Sequence, residues 1–119
     1  MSRERKFKLR AEQIKPLIEP MGGCFATDHI TVEGLPVGYM YREAPDFDVD
    51  SGWRFFSGTE TEEYANDPDN TTIYEVNTIA NYDPAIIPFL SAPIGSAFGR
   101  VPGTDKFEPE EFGADDDDA

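Results

Sequence analysis

One stretch of the sequence, residues 51–98, constrains the fold more than any other. It contains the single tryptophan of the chain, Trp53, and much of the large apolar surface. Its opening block is Gly-Trp-Arg-Phe-Phe-Ser-Gly at residues 52–58, and its later apolar blocks are residues 77–84, 86–90 and 93–98. Each buried aromatic side chain removes roughly 150–250 Å² from water, so such a block marks a core. We predict that the opening block is a central strand and that the later blocks pack over it.

Short strands account for most of the remaining apolar pattern. Gly34 and Pro36 separate the two earliest runs, and two short runs around such a break are typical of a β-hairpin. A last strand is predicted at an edge of the sheet. The predicted strands are residues 24–32, 37–42, 53–57, 73–76 and 96–101.

Short helices are predicted between and after these strands. One begins near Thr59, because Ser57–Glu60 and Thr59–Glu62 both fit the capping-box pattern. Asp83 followed by Pro84 is typical of an N-cap and a first helical position. The remaining predicted helices are a short one at residues 11–18, one turn at residues 77–81 and a short one at residues 84–91. Strands first and helices between and after them indicate a single small α+β domain with a mainly antiparallel sheet.

Charge is distributed unevenly along the 119 residues, and the formal net charge is −14. Residues 1–20 carry six basic and three acidic side chains, whereas residues 21–100 carry three basic and 13 acidic ones. Runs of one charge are typical of solvated tails. We therefore predict a basic N-terminal extension with a possible short helix at residues 1–20, a domain at residues 21–104 and a disordered acidic tail at residues 105–119.

Composition excludes several classes of partner and location. Phosphate binding needs clustered Lys and Arg, which the globular part lacks, so no nucleic acid is expected. Pro88 and Pro93 interrupt the longest apolar runs, so no membrane partner is expected. Cys24 is the only cysteine, which rules out an internal disulfide framework. The basic start of the chain precedes no apolar signal core, and we predict a cytoplasmic protein.

Residues 46–52 resemble the start of a calcium-binding loop but do not complete it. Such a loop needs Gly at its sixth position and Glu at its twelfth. Counted from Asp46, those positions are Ser51 and Ser57. We predict an acidic loop that grips a basic partner or is simply solvated, and we assign no metal ligand and no cofactor.

Candidate nucleophiles and bases are few. His29 is the only histidine, so a Ser–His–Asp relay would have to use it. No cationic side chain adjoins Cys24 to activate a thiolate. Ser57 lies in Phe-Ser-Gly, which is not the Gly-x-Ser-x-Gly elbow of hydrolases. We expect a structural or surface role for His29, an ion pair within the chain for Arg54, no catalytic residues and no enzymatic activity.

Acidic side chains cluster at two places, residues 46–50 and residues 60–69. Paired carboxylates can act as acid and base when one is buried, but a solvated or partner-binding face fits these polar segments better. We predict that their carboxylates contact a basic protein partner. The predicted contact residues are Asp46, Asp48, Asp50, Glu60, Glu62, Glu63, Asp67 and Asp69.

Several sequence blocks together resemble one known family. They are residues 30–34 and 37–43, the Gly-Trp-Arg-Phe-Phe-Ser-Gly block with the two residues before it, the Asn-Thr-Ile-Ala-Asn-Tyr-Asp-Pro block at residues 77–84, and residues 93–98. In this order they are similar to a family of small bacterial proteins, first described as a domain of unknown function and now identified as an immunity-protein domain of polymorphic-toxin systems. The resemblance covers roughly residues 22–100.

The resemblance implies a protein that binds and blocks a toxin, and it transfers no catalytic residue to this chain. The implied mechanism is steric and electrostatic, with an acidic face covering a basic active-site cleft. Two other interpretations stay open at this point. One is a stand-alone bacterial interaction or regulatory protein with another partner, and the other is a small hydrolase or metal-dependent enzyme.

Overall fold

A single six-stranded sheet dominates the computed structural model, which describes residues 7–110. The strands are β1 Gly23–Thr27, β2 Tyr39–Arg42, β3 Asp50–Phe56, β4 Thr71–Glu75, β5 Ala97–Arg100 and β6 Phe107–Glu110. Their order across the sheet is β4-β1-β3-β2-β5-β6. β1 and β3 run parallel, and the other pairs of neighbours run antiparallel. The predicted α+β fold with a mainly antiparallel sheet is confirmed.

Short helices lie before and between the strands. They are α1 Asp28–Thr31, α2 Glu62–Asn66, α3 Val76–Tyr82 and three 3-10 helices, Ala11–Gln13, Pro68–Asn70 and Pro84–Phe89. One buried cluster joins Ile30 of α1, Ile79 of α3 and Ile86 of the last 3-10 helix to the sheet side chains Trp53 and Phe55. The core therefore lies between the sheet and α1, α3 and the Pro84–Phe89 helix.

The predicted central strand is β3, and the later apolar blocks do pack over it. β3 lies between β1 and β2, and both Trp53 and Phe55 are fully buried. The indole Nε1 of Trp53 donates a hydrogen bond to the carbonyl oxygen of Leu90, 3.1 Å away. A buried indole N–H needs such a partner, so this bond fixes the last 3-10 helix over the centre of the sheet.

Asp83 and Pro84 begin a helix, as predicted. The Asp83 side chain accepts a hydrogen bond from the N–H of Ala85, and Pro84 occupies the first turn. The helix is of the 3-10 type and contains Pro88. Proline lacks an N–H group and clashes with a preceding carbonyl in a continuous α-helix, which explains the tighter, shorter form.

The predicted β-hairpin at residues 24–32 and 37–42 is wrong. The first run leaves the sheet at Thr27, because residues 28–31 form α1. Ile30 and Thr31 are both buried although they are consecutive, which a helix against a core permits and an alternating strand does not. The second run forms β2, but β3 lies between β1 and β2.

The start of α2 also differs from the predicted position near Thr59. α2 begins at Glu62, and its N-cap is Thr61, whose hydroxyl accepts a hydrogen bond from the N–H of Tyr64 at 3.0 Å. Glu60 instead folds back and accepts from the N–H of Ser57 at 2.8 Å. Residues 57–60 therefore form a closed loop before the helix starts.

The N-terminal segment, residues 9–18, lies extended along α3. Asn81 accepts a hydrogen bond from the N–H of Lys15, and both Asn77 and Asn81 donate to the carbonyl oxygen of Lys15. Asn77 also accepts from the N–H of Leu17. The predicted helix at residues 11–18 is wrong beyond the single turn Ala11–Gln13, because side chains of α3 satisfy this backbone instead. Residues 1–6 of the predicted extension lie outside the described residues.

The end of the sheet differs from the predicted edge strand and disordered tail. β5 is not an edge, because it pairs with β2 on one side and β6 on the other. β6 arises within the predicted acidic tail, where Phe107 is buried beside Phe89. Burial of this one aromatic side chain anchors the otherwise acidic strand. Residues 111–119 of the predicted tail lie outside the described residues.

Helices in the described part of the chain are short. None of them is both long and apolar enough to cross a lipid bilayer.

Candidate partner-binding surface

Six of the eight carboxylates predicted to contact a partner are exposed. They are Asp46, Asp48, Glu62, Glu63, Asp67 and Asp69. The side chains of Asp50 and Glu60 are only 0% and 4% exposed. Both form hydrogen bonds within the chain, so we keep the six exposed residues as the contact candidates.

The six exposed carboxylates form two groups at opposite ends of the sheet. Asp46 and Asp48, which we call the loop acids, lie in the loop that enters β3. The other four, which we call the helix acids, follow the far end of β3 and lie in or beside α2 and the Pro68–Asn70 helix. A strand of seven residues such as β3 is about 20 Å long. A partner that contacts both groups must therefore span the length of the sheet.

Asp50 neutralises the buried guanidinium of Arg54. Its two carboxylate oxygens accept hydrogen bonds from Arg54 Nη1 at 2.9 Å and Nη2 at 2.7 Å. Glu43 accepts from Arg54 Nε at 2.6 Å, and the guanidinium lies 4.5 Å from the ring centre of Phe25. The hydrogen bonds from Arg54 lower the pKa of Asp50 to about 2, although burial opposes that shift. The predicted ion pair of Arg54 within the chain is confirmed.

Gly52 allows Asp50 to reach Arg54. Its φ is +94°, and a Cβ atom there would lie 2.2 Å from the carbonyl oxygen of Glu43. Only glycine adopts this conformation without strain and permits so close an approach. The pairing of β1 with β3 is irregular at the same place, because Gly23 aligns with Asp50 and Phe25 with Arg54. This irregularity brings residues 50 and 54 together.

Glu60 closes the loop after β3 at the other end of the sheet. It accepts hydrogen bonds from the hydroxyl of Thr27 at 2.6 Å and from the N–H groups of Ser57 and Gly58. Burial alone would raise the pKa of Glu60, and these hydrogen bonds outweigh burial and lower it. Glu60 therefore stays ionised and holds the loop in place.

His29 sits beside this loop in a geometry unlike that of a catalytic relay. Its Nδ1 lies 3.0 Å from the Ser57 hydroxyl and 3.6 Å from a carboxylate oxygen of Glu60. In a Ser–His–Asp relay the hydroxyl and the carboxylate bond to different ring nitrogens. The ring of His29 also stacks against Tyr64, with 4.2 Å between their centres. These contacts link the loop to α2.

Cys24 is buried, and Asp50 of the acidic loop is bound within the chain. Burial raises the pKa of the Cys24 thiol far above its ordinary value, which keeps it protonated. Asp50 directs its oxygens to Arg54 and to the N–H groups of Asp46 and Gly52. Within residues 7–110, no three His, Cys, Asp or Glu side chains are grouped so that they could hold a metal ion.

The sheet has a second face, turned away from α1, α3 and the Pro84–Phe89 helix, which we call the open face. Residues directly opposite each other in neighbouring strands share a face. Met40 is opposite Phe55 and Phe98, on the core side. The alternate positions lie on the open face, and from β4 to β6 they include Thr71, Ile73, Glu75, Gly23, Phe25, Thr27, Asp50, Arg54, Phe56, Tyr39, Tyr41, Ala97, Gly99, Glu108 and Glu110.

Three half-buried aromatic side chains, Tyr39, Tyr41 and Phe56, form a cluster on the open face that we call the aromatic patch. The rings of Tyr41 and Phe56 stack with 5.9 Å between their centres, and those of Tyr39 and Tyr41 lie 5.8 Å apart. The patch lines a shallow groove of about 270 Å³ together with Gly58 and Glu60. Offset aromatic contacts of this kind make a rigid apolar surface.

Carboxylates flank the aromatic patch on the open face. Glu108 and Glu110 of β6 are exposed, and a Cβ atom on Gly99 would lie 2.1 Å from an oxygen of Glu110. The Glu110 carboxylate therefore reaches over β5 toward β2. Burial and the nearby charge of Glu43 raise the pKa of Tyr41, so its hydroxyl stays protonated.

A larger depression, of about 710 Å³, lies on the helix side between the Pro84–Phe89 helix and the start of β6. The carboxylate of Asp83 in its wall accepts hydrogen bonds from the N–H of Val37 and from Arg100. Arg100 in turn contacts Asp105 and stacks on Phe107. The polar groups of this depression thus bind one another and fix the last loop of the chain.

Comparison with known families now identifies the chain. The family model described as the immunity protein Imm33 domain matches residues 24–110. The chain belongs to the Imm33 immunity-protein family. No curated protein and no solved structure matches it.

The Imm33 match contains almost the entire sheet, because it begins within β1 and ends with β6. The resemblance to an immunity-protein family is thereby confirmed, and the match extends past the predicted limit near residue 100 to include β6. An immunity-protein domain implies a protein partner, a toxin, and such families are generally not catalytic. The candidate site of an Imm33 protein is thus a surface for a protein.

The aromatic patch is the part of this surface that sequence reasoning missed. The block at residues 52–58 predicts a core, and nothing in it separates Phe56 from Trp53 and Phe55. The alternation of Tyr39 and Tyr41 on one side of β2 was visible, but it does not reveal whether that side is covered. Pairing of β2 with β3, which brings Phe56 beside both tyrosines, is the information that was lacking.

Proposed function

We propose that this Imm33 protein binds and neutralises a cognate toxin of a polymorphic-toxin system and catalyses no reaction itself. The observation that carries the proposal is the family match over residues 24–110, which includes the sheet and both groups of exposed carboxylates. An inhibitor of this kind needs a surface rather than a reactive centre. The open face and the acids at its two ends supply such a surface.

The proposed mechanism is to cover a basic active-site cleft. A net charge of −14 accelerates the encounter with a positively charged partner and orients it. Toxins that cut nucleic acids bind a polyanion, and a row of carboxylates can occupy the same cleft. The loop acids and the helix acids are the proposed contacts in that cleft.

Charge reversal at each end of the sheet tests this mechanism. We expect Asp46→Lys with Asp48→Lys, and separately Glu62→Lys with Glu63→Lys, to weaken binding of an inactivated candidate toxin domain, chosen from the neighbouring genes, by about tenfold. The loss should be greatest at an ionic strength of about 0.01 M, where the Debye length is about 30 Å. Isothermal titration calorimetry at two salt concentrations measures it.

Glu12→Lys with Glu19→Lys is the matched control, because it changes the net charge by the same amount and both residues are exposed but lie in the segment before β1. It should leave the affinity within about twofold, since long-range charge is largely screened at moderate salt. Equal losses in all three variants would indicate only an effect of net charge. Unchanged affinity in both double variants would exclude the two acidic groups as contacts. A housekeeping protein that binds in place of the toxin would favour the regulatory interpretation.

A further inference from the structure

We propose that the aromatic patch of Tyr39, Tyr41 and Phe56 is the centre of the toxin-binding interface. Its occupant is an apolar side chain of the toxin flanked by lysine or arginine. This inference rests on the proposed function and deepens it, because it names the part of the surface that supplies apolar contact. The predicted acids then form the rim around that centre.

The position of the aromatic patch supports this assignment. The aromatic patch lies on β2 and β3, and β3 connects the loop acids to the helix acids. A single partner that contacts both acidic groups must pass over the face between them. Interfaces typically have an apolar centre and a polar rim, and this arrangement matches that pattern.

The charges on the open face indicate which kind of partner it fits. Arg54 is the one cation among the open-face positions of residues 7–110, and Asp50 and Glu43 neutralise it. Arg42 is bound on the core side to the carbonyl oxygens of Ser51 and Ala92. On the open face of the described residues, the positive charge of Arg54 is thus neutralised, and it does not offset the negative charges of Glu108 and Glu110 that a partner meets. The complementary partner carries lysine or arginine around its apolar contact.

The area of the open face indicates that the patch and the acids belong to one interface. Strands about 4.8 Å apart and residues about 3.3 Å apart give a six-stranded face on the order of 400 Å². A stable interface buries about 800 Å² on each partner. The open face alone supplies about half of that area, so the loops that carry the acids at both ends must complete it. One partner then covers the patch and the acids together.

The chemistry of the tyrosine side chains also supports this assignment. Tyrosine and other aromatic side chains contribute the largest losses when interface residues are truncated. A lysine or arginine over a tyrosine ring adds a cation–π attraction. Tyr39 and Tyr41 present such rings beside the carboxylates of β6, which favours a toxin segment that combines apolar and cationic side chains.

Substitution within the patch tests the proposal. The probe is the same inactivated candidate toxin domain, titrated calorimetrically against the full chain. Tyr41→Ala and Phe56→Ala should each weaken binding at least about tenfold, and Tyr41→Lys should do so without removing the long side chain. Tyr39→Phe keeps the ring and should keep the affinity. Leu17→Ala is the control, since Leu17 is 44% exposed on the segment along α3.

The outcomes separate this inference from the proposed function. Losses at Tyr41 and Phe56, with Leu17→Ala within twofold, support it. If the Tyr41 and Phe56 variants have the melting temperature of the parent chain and bind the toxin domain with the parent affinity, the inference is overturned. The proposed function is then unaffected. A toxin domain that does not bind the parent chain overturns both. The parent chain could also form a dimer that Tyr41→Ala dissociates, with no change in toxin affinity. That result would assign the patch to a second copy of the chain and would also overturn the inference.

Discussion

Arg54 shows how a single buried charge shapes this surface. Its guanidinium lies under the open face, where Asp50 and Glu43 hold it and the ring of Phe25 covers it. Burial of an unpaired charge costs several kcal/mol, so removal of one partner is far more damaging than loss of an exposed pair. Asp50 thus contributes to stability, whereas its neighbours Asp46 and Asp48 remain available to a partner.

Asp50 should dominate the acid sensitivity of the fold. Its pKa is about 2 in the folded chain against an ordinary 3.8, so the folded state favours the ionised form. That preference stabilises the fold by about 2 kcal/mol above pH 4, and the stabilisation disappears as the pH falls to about 2. Urea unfolding should show that the stability difference between the parent and Asp50→Asn shrinks by that amount from pH 5 to 2.

Asp48→Asn is the control for this measurement, because Asp48 is exposed in the same loop. It makes the same Asp-to-Asn change outside the ion pairs of Arg54 with Asp50 and Glu43, so any pH dependence that both variants share does not come from those pairs. If Asp50→Asn and the parent lose stability in parallel between pH 4 and 2, the ion pair with Arg54 does not control acid unfolding.

At the scale of elements, α3 holds the N-terminal segment by side chains rather than by helix packing. Asn77 and Asn81 are four residues apart and therefore lie on one side of α3. Their amides bind both the N–H and the carbonyl group of Lys15. The backbone of Lys15 and Leu17 is thus satisfied by asparagine side chains rather than by a helix, which keeps this part of the segment on the helix side, away from the open face.

Asn81→Ala should release this segment locally. It removes the acceptor for the Lys15 N–H at 2.9 Å, a bond worth about 1 kcal/mol. We expect amide exchange at Lys15 to accelerate about fivefold to tenfold, while exchange at Trp53 in β3 stays unchanged. Hydrogen exchange followed by NMR measures both, and Asn66→Ala on α2 is the matched control. Equal exchange at Lys15 in the parent and Asn81→Ala would show that other contacts hold the segment.

Elements with local signals were predictable from the sequence, and elements defined by distant pairing were not. The β3 block, the helical turn predicted at residues 77–81 and the Asp83–Pro84 start each depend on neighbouring residues. The hairpin failed because β3, from later in the chain, separates β1 from β2. β6 was missed because its acidic composition is typical of a tail, while Phe107 packs against a distant aromatic residue.

The same distinction applies to the candidate site. Counting carboxylates identified the acidic segments, but it could not separate Asp50 and Glu60 from their exposed neighbours. Their burial depends on Arg54 and Thr27, whose positions follow from the path of β3 and from its pairing with β1. The aromatic patch likewise depends on the register of β2 against β3. Surface composition was therefore predictable, and its arrangement was not.

Across the whole molecule, charge is divided between two sides. Arg10 and Lys15 belong to the segment along α3, on the helix side, whereas the loop acids, the helix acids and β6 lie around the open face. A molecule polarised in this way approaches a basic partner with its acidic side first. The account thus joins orientation by charge to apolar contact at the aromatic patch.

A growth assay tests the central claim, that this chain neutralises a toxin by binding it. The candidate toxin domain in its active form is expressed in a bacterial host, alone or with the full chain, and survival is counted. The account predicts that the toxin alone kills, that the parent chain restores growth, and that the combined Tyr41→Ala and Glu62→Lys variant protects poorly at equal soluble expression. Killing that continues undiminished in the presence of the soluble parent chain would contradict the account.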